Sequence, residues 1–439
     1  MKKTSLNLSV AALLVAGSIS AVQAGGFQLM EQSVTSLGRA HAGAGVVGDD
    51  VSAVWYNPAG MTLLPGTQFQ FGGVFAALDI PAEDYRTGQT DNGRKHPVPI
   101  PNMFLSHQIN DSAWFGIGLT VPYGMATEYG REFSMGDKGM NSEIKVFDLN
   151  PSFAYKVSDK LSVGIGASIE YAQAFVESGV GKHPLLGADV YGRLKATSWS
   201  GGFNVGVMWT PVETVRVGLS YRSAVKHSAK GELKVGVATD GDHVGYWTGV
   251  PMNLSSTSKG AKATLKAPHQ VNLSATWEVT PNWRLSGLIH WSDWSSFDTL
   301  DISTDNAQAT AAITAMNALK GVKSSKVSIQ NHWKDSWLFS VGTDYRFNDE
   351  WTVRGGIAYE KSPVRDNYRL AIIPDLDRMW FTIGATWHVT KQLQGDFGFA
   401  WVHGVGNKSL YSNDNPSKEI GKFRKCESYL FGAQMVYKF

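Results

Sequence analysis

Apolar and polar side chains alternate residue by residue in several segments of this chain, and that pattern constrains the fold more than any other feature. From Trp337 to Phe347, every second side chain is mainly apolar or aromatic, and those between are mostly small or polar. Successive side chains of a β-strand point to opposite faces, so the segment predicts a strand with one apolar face. The same period recurs in 215–222, 271–278 and 351–360. Soluble β-sandwiches also alternate, so this period alone does not choose between fold classes.

The first 24 residues predict export. Two lysines precede a short apolar stretch around 10–17, and a cleavage pattern of the Ala-x-Ala type ends at Ala24. This is the arrangement of a secretory signal peptide, residues 1–24, with the mature chain starting near Gly25. The apolar stretch is too short for a membrane anchor, and no later run of 18 or more apolar residues predicts a membrane-spanning helix.

Composition favours an outer-membrane barrel over other exported proteins. The chain has 439 residues, 47 glycines, 15 tryptophans and a net charge of only +2. Its single cysteine, Cys426, cannot form an internal disulfide. No concentrated basic face predicts a nucleic-acid partner, no cluster has metal-ligand spacing, and we expect no cofactor. An exported chain rich in glycine and aromatics, with neither a disulfide framework nor an apolar helix, is typical of an outer-membrane β-barrel.

The spacing of the predicted strands supports the same fold. About fourteen candidate strands fall between residues 67 and 439, and the gaps between them alternate between short turns and long loops. Aromatic residues such as Trp337 and Tyr345 lie eight residues apart, which matches the height of an apolar band between two aromatic girdles. We therefore predict an all-β fold, a 14-stranded antiparallel transmembrane β-barrel in the bacterial outer membrane, with both termini on the periplasmic side. The terminal strand ends at Phe439, through which the barrel assembly machinery would recognise it.

Residues 25–66 precede the first predicted strand, and we expect them to form an N-terminal hatch, a plug inside the barrel. A fourteen-stranded barrel encloses a lumen wide enough to leak unless something fills it. Asn57, Pro58 and Ala59 predict a chain reversal, and Trp55 and Tyr56 argue against a disordered tail. The glycines of the segment 43–48 match a dinucleotide-binding spacing, but no βαβ unit surrounds them, so we attribute the match to chance.

Several motifs resemble the FadL family of outer-membrane long-chain fatty acid transporters. The segments that carry the resemblance are Gly26-Phe27-Gln28-Leu29, Ser36-Leu37-Gly38-Arg39-Ala40, Asp49-Asp50, Asn57-Pro58-Ala59, Val121-Pro122-Tyr123-Gly124, Ser362-Pro363-Val364 and Ile373-Pro374-Asp375-Leu376-Asp377-Arg378. With the terminal strand they extend over the whole mature chain. The resemblance implies that the hatch closes the lumen, that a hydrophobic ligand enters through the outer loops, and that it leaves sideways at the third strand.

Pro122, Tyr123 and Gly124 are the candidate lateral opening. Proline has no N–H for the strand ladder and glycine has no side chain to pack, so the pair favours a bulge or kink. The alternative is that the third strand simply ends at Val121.

Charged residues supply candidates for the polar end of the ligand site. Arg378, with Asp375 and Asp377, is either a contributor to that site, where a guanidinium suits a carboxylate, or part of a structural ion-pair cluster. Arg354 and Arg222 face the lumen by alternation and are rival candidates.

The long loops carry apolar residues that could collect ligand or pack as a lid. Ile313, Met316 and Leu319 are spaced as on a short amphipathic helix, and Leu185 and Leu186 lie in another long loop. The helical loop follows the ninth strand, whereas the loop after the fifth strand is short, which departs from the best-known family members.

The predicted function is passive uptake of long-chain fatty acids, with no enzymatic activity. The alternatives are uptake of aromatic hydrocarbons or other uncharged hydrophobic compounds, and a general porin. No Gly-x-Ser-x-Gly elbow is present, and the histidines are scattered. The expected partners are a hydrophobic small molecule and the outer-membrane lipids, and we expect a monomer.

Overall fold

A computed structural model describes residues 25–93, 96–129, 133–136, 139–182, 189–237, 256–319, 322–412 and 415–439. In these ranges no helix is both long and apolar enough to cross a membrane.

Fourteen antiparallel strands form a closed barrel, which confirms the predicted fold. Their bounds are β1 Thr67–Asp79, β2 Val98–Asn110, β3 Ala113–Glu128, β4 Asn141–Ser158, β5 Leu161–Lys182, β6 Asp189–Val212, β7 Val215–Arg222 with Val225–Val237, β8 Ser256–Ala267 with Gln270–Thr280, β9 Trp283–Ser292 with Thr299–Thr304, β10 Val327–Gln330 with Ser336–Arg346, β11 Trp351–Lys361, β12 Asp377–His388, β13 Leu393–Val405 and β14 Glu427–Lys438. Each pairs with the next, and β1 also pairs with β14, where Phe75 lies opposite Phe431. Closure of this kind leaves no sheet edge exposed to lipid.

The alternation places apolar side chains on the outside of the wall. Val341 and Ile383 point outward and are 60% and 64% exposed, whereas Ser340 and Thr382 point into the filled lumen and are buried. The outward side chains therefore face the hydrocarbon of the membrane, and the polar ones contact the interior.

Shorter elements cover the end of the barrel that carries the long connections. A small sheet combines Ala82–Asp84, Thr90–Asp91, Ser409–Tyr411 and Glu419–Phe423. A helix, Ala307–Leu319, connects β9 to β10, as the apolar spacing predicts. The alternative that the third strand ends at Val121 is wrong: β3 continues to Glu128, because its outer half still pairs with β4.

Residues 25–66 lie inside the barrel and are almost entirely buried. They form two short helices, α1 Val34–Gly38 and α2 Ala53–Tyr56, followed by a 3-10 turn at Pro58–Leu63. The Asn57 side chain caps that turn by accepting a hydrogen bond from the Ala59 N–H at 3.1 Å, and Pro58 occupies the first turn, where its missing N–H costs nothing. We call residues 25–66 the hatch.

Three glycines in the segment 43–48 of the hatch adopt a left-handed backbone conformation. Gly43, Gly45 and Gly48 all have positive φ, between 72° and 79°. A left-handed backbone is strained for other residues, so this run of turns explains the glycine spacing without a nucleotide.

Glycines of the wall let the hatch approach closely. A Cβ on Gly164 of β5 would lie 2.5 Å from the Ala59 nitrogen, and one on Gly206 of β6 would lie 2.9 Å from Cγ of Asn57. The Asn57 amide also donates to the Val207 carbonyl at 3.1 Å. The Asn-Pro-Ala turn therefore sits in a cradle of wall glycines, Gly164 and Gly206.

Candidate functional site

An aromatic cage surrounds Phe27, the third residue of the hatch. Its ring is 4.6 Å from that of Trp294, 5.8 Å from those of Phe297 and Trp333, and 6.1 Å from that of Tyr123, measured between centroids. The rings meet mostly edge to face, an arrangement that aromatic pairs favour. Phe27 is 1% exposed, so the hatch occupies this apolar cage with its own side chain.

Apolar side chains from the wall complete the same cluster. They come from β3, β4, β5, β7 and β8, and from the loop after β11. These side chains are Met125, Val146, Ala172, Val225, Ala267 and Val364. Polar groups enter at one side, where the Gln270 amide donates to the Tyr123 hydroxyl at 2.6 Å and Gln28 donates to Gln270 at 3.1 Å. An apolar chamber with few polar groups is the usual form of a small-molecule site.

Two acidic side chains hold the first residues of the hatch. The Gly25 N–H donates to Glu360 Oε1 at 2.6 Å, and the Gly26 N–H donates to Asp375 Oδ2 at 2.9 Å. Arg378 pairs with both acids, at 3.3 Å from Glu360 and 3.1 Å from Asp375. These buried carboxylates therefore fix the segment that carries Phe27 into the cage.

The wall is interrupted at β3, beside the cage. Pairing between β2 and β3 stops at Met103 and Leu119, and the register between β3 and β4 shifts between Thr120 and Tyr123. Beyond that point no strand among the described residues pairs with β3 on the β2 side. The predicted kink at Pro122, Tyr123 and Gly124 is thus a register shift within a continuing strand.

The hatch occupies the edge that β2 leaves free. The Leu29 N–H donates to the Pro122 carbonyl, and the Gly124 N–H donates to the Phe27 carbonyl, both at 2.8 Å. Gln28 and Tyr123 form the bridge pair between them. One short segment, residues 27–29, therefore fills the cage and covers the gap in the wall.

The candidate arginines lie in three separate places, each beside acids. Arg378 belongs to the Glu360–Asp375 group described above. Arg354 contacts Asp344 at 3.0 Å, and Arg222 contacts Asp148 at 3.3 Å. Arg222 also donates to the Trp55 carbonyl at 3.0 Å and stacks over that ring at 4.6 Å.

Asp377 is separated from Asp375. Its carboxylate accepts from the Tyr359 hydroxyl at 2.6 Å and from the Ser362 N–H at 2.9 Å, and Tyr359 is on the outward face of the wall. The structure therefore brings Asp375 and Arg378 together with the hatch but leaves Asp377 outside that group.

The predicted loop residues are described only in part. Ile313 is buried and packs with Leu194, Leu233 and Ile302 at the outer ends of the strands, so it contributes to a packed cap. The side chains of Met316 and Leu319, and the segment with Leu185 and Leu186, lie outside the described residues.

Sequence reasoning missed most of the cage. Trp294, in a 3-10 turn, and Phe297 lie in the break between the two parts of β9, and Trp333 lies in that of β10, where alternation gives no information. The sequence feature that could have identified them is the presence of several large aromatic residues in loop segments, which are usually polar. Glu360 was identifiable as lumen-facing, since it alternates with the outward Tyr359.

Comparison with known proteins agrees with this architecture. Residues 14–439 match the family model described as outer membrane protein transport protein (OMPP1/FadL/TodX). The chain belongs to this FadL/TodX family. It is therefore an outer-membrane transport protein for hydrophobic compounds and not an enzyme.

Individual members of the FadL/TodX family differ in what their names say they carry. The chain is 30% identical to a long-chain fatty acid transport protein of Salmonella typhi, with 98% of each chain covered. Among solved structures, it resembles a Pseudomonas aeruginosa FadL homologue with a TM-score of 0.78 and 24% identity, covering 94% of this chain and 100% of that one. It also resembles the Pseudomonas putida toluene transporter TodX, with a TM-score of 0.67 and 17% identity over 94% and 99% of the two chains. The two structural likenesses concern the fold alone.

Proposed function

We propose that this FadL/TodX protein takes up long-chain fatty acids by passive transport. The ligand displaces Phe27 from the cage and leaves through the gap at β3 into the membrane. The observation that carries the proposal is the double role of residues 27–29, which occupy the apolar cage and pair with β3 where β2 has separated from it. Movement of one segment would open the binding site and the exit together.

The relatives named as fatty acid transporters support the choice of substrate, since they match this chain over its whole length. An alkyl chain suits a chamber lined by valine, alanine, methionine and aromatic rings, because burial of each CH₂ contributes about 0.8 kcal/mol. The carboxylate of the ligand would meet Arg378 once the N-terminal segment has left Glu360 and Asp375.

A reversible cross-link tests the gate directly. Gln28 and Tyr123 are bridge partners, so Gln28→Cys with Tyr123→Cys places two thiols at a distance that a disulfide can span. In proteoliposomes we expect the oxidised protein to take up labelled oleate no faster than protein-free liposomes, and reductant to restore uptake. Gln28→Cys alone and Tyr123→Cys alone are the matched controls. Equal uptake in both redox states would rule out movement of this segment as the gate.

Uptake of uncharged aromatic hydrocarbons is a second candidate function. It is favoured by the cage itself, since Phe27 already shows that an aromatic ring fits there, and by the pairing of Arg378, Arg354 and Arg222 with acids.

Titration with oleate and with toluene, followed by native mass spectrometry and tryptophan quenching, separates the two candidates. For fatty acid uptake we expect saturable oleate binding that Arg378→Ala weakens at least about tenfold, the value of one charge-assisted contact. The hydrocarbon function would be established instead if toluene bound saturably, with the same affinity in the wild type and in Arg378→Ala, and oleate did not bind.

A further inference from the structure

The outward face of β5 and β6 shows where the membrane's apolar layer ends. Trp209 and Trp199 on β6 are both strongly exposed, and the side chains between them on that face are apolar or glycine. Ten residues of a tilted strand rise roughly 25 Å, the height of the apolar band of such barrels. Trp199, paired with Tyr171 at 4.9 Å between rings, therefore marks the upper aromatic girdle, on the side of the long loops.

Four lysines lie close to this girdle on the neighbouring strands β7 and β8, Lys226 and Lys266 on one side of the Trp199 row and Lys230 and Lys262 on the other. In the antiparallel register Lys226 is directly opposite Lys266, and Lys230 is directly opposite Lys262. All four occupy the outward face, exposed or half-buried. Like charges directly opposite one another destabilise a strand pair. Two such pairs in succession are therefore unfavourable unless an anion lies between them.

No such anion is supplied by the described part of the chain. None of the four lysines has a carboxylate oxygen within 4.0 Å among the described residues, although other lysines nearby do. Lys145 pairs with Glu143 at 2.8 Å, and Lys234 pairs with Glu232 at 3.1 Å.

The opposite side of the barrel carries the reverse arrangement. At the same level on β13 and β14, Glu427 accepts from the Trp401 indole at 2.6 Å and contacts His403 at 2.7 Å. There the outward charges pair among themselves, unlike the four lysines of β7 and β8.

The charged sector also has a shape that could hold a headgroup. An open depression of about 680 Å³ extends from β4 to β7, and its charged lining consists of Lys145, Lys195 and Lys230 with Glu143 and Glu232. Lys195 lies 5.8 Å from the Phe175 ring, which forms part of the floor. Glu143 is already paired with Lys145 and Glu232 with Lys234, so Lys195 and Lys230 are the lining cations left for a headgroup, and Lys230 joins the depression to the lysine pairs of β7 and β8.

We propose that this surface binds the phosphorylated sugar headgroup of an outer-leaflet glycolipid. The ammonium groups of Lys226, Lys230, Lys262 and Lys266 would contact its phosphates, since lysine binds phosphate as a point charge. The acyl chains would lie along the apolar band below Trp199. The site is distinct from the cage and does not depend on the transported substrate.

Native mass spectrometry of the full-length protein tests the site, with a bisphosphorylated diglucosamine lipid and the same lipid without phosphates as probes. We expect the bisphosphorylated lipid to bind at least about tenfold more tightly than the dephosphorylated one, and Lys230→Gln with Lys262→Gln to abolish that preference. Folding is not at risk, because the substitutions remove a repulsive pair. Lys361→Gln, outward on β11 and directly opposite Trp337 of β10, is the matched control and should bind like the wild type.

Two results would overturn the proposal. One is an unchanged preference for the phosphorylated lipid in the double lysine variant. The other is full displacement of the lipid by millimolar inorganic phosphate, which would mean that the lysines bind free phosphate and not a lipid headgroup. Displacement by raised salt in the wild type, with no salt effect in the variant, would support the electrostatic contact.

Discussion

Gly164→Ala should loosen the hatch, because the new methyl group meets backbone and not a side chain that can rotate away. Its Cβ would lie 2.5 Å from the Ala59 nitrogen and 2.6 Å from the Pro58 carbonyl carbon, whereas ordinary contacts begin at 3.4 Å. The Asn-Pro-Ala turn would have to retreat by about 0.9 Å, the difference between 2.5 Å and 3.4 Å.

That retreat would break the hydrogen bonds between this turn and the wall. Asn57 Nδ2 donates to the Val207 carbonyl at 3.1 Å, and the Thr62 hydroxyl donates to that of Ser162 at 2.8 Å. Each such bond contributes about 1 kcal/mol net, and overpacking costs a further 1–3 kcal/mol. The hatch should therefore lose about 3–5 kcal/mol of docking free energy, which raises the undocked population by at least about a hundredfold.

Single-channel recording in planar bilayers measures this directly, as the frequency of openings to small ions. We expect frequent openings for Gly164→Ala and still more for Gly164→Val, against rare openings for the wild type. Gly201→Ala is the matched control, since its Cβ would meet only the Ser168 carbonyl at 3.4 Å on the outward face. If Gly164→Ala and Gly201→Ala gave the same conductance, the glycine cradle would not be what seats the hatch.

Three further results are expected. Phe27→Ala should empty the cage at a cost of about 3–5 kcal/mol in stability, and toluene should raise the melting temperature of this variant more than that of the wild type; equal shifts would contradict the cage as a ring-binding site. Arg39→Gln should lower the free energy of unfolding by about 3 kcal/mol and increase channel openings, because it leaves buried carboxylates unpaired. Arg39 is buried and lies 2.5 Å from Asp49 and 3.1 Å from Asp344. Arg39→Lys should give an opening frequency between those of the wild type and Arg39→Gln. Burial raises the pKa of the Cys426 thiol to about 12. Because the thiolate is the reactive form, alkylation at pH 8 should be about a thousandfold slower in the folded protein than after unfolding. Rapid alkylation of the folded protein would be evidence against that burial.

The strands of the wall could be predicted because the alternation of apolar and polar side chains is visible within each single segment. Alternation along one strand, such as Trp337 to Phe347, already determines which face meets lipid, and the terminal aromatics give the strand its height. The cage was not predictable in this way. Phe27 reaches it from the hatch, and Trp294 and Trp333 come from irregular segments whose positions depend on packing between distant parts of the chain.

The roles of the arginines depended on register between strands. Asp344 and Arg354 are opposite one another in β10 and β11, which a short turn joins, so turn geometry could have identified that pair. Glu360 and Arg378 are also opposite one another, in β11 and β12, but a long loop joins those strands. Loop length there leaves the register undetermined, so the sequence could not distinguish a ligand-binding arginine from a paired one.

The interruption at β3 explains why the proposed gate is made of backbone. In hydrocarbon an unpaired N–H or C=O costs several kcal/mol, so a strand that has lost its neighbour needs another partner. The hatch supplies four hydrogen bonds there: two from the backbone of residues 27–29, and two in which the Gln32 amide donates to the Val121 carbonyl at 2.8 Å and accepts from the Val121 N–H at 3.2 Å.

Withdrawal of residues 27–29 breaks the two backbone bonds but leaves the two from Gln32. Two of the four hydrogen bonds at the edge of β3 are then lost. Each lost bond costs about 1 kcal/mol where water takes its place, and several kcal/mol where only lipid is present. A ligand that fills the cage as Phe27 leaves would offset that cost through apolar burial, whereas an empty cage would not. In the proposed mechanism the opening is coupled to the ligand without an additional switch, because Phe27, which occupies the cage, is the chain neighbour of Gln28, which pairs with β3.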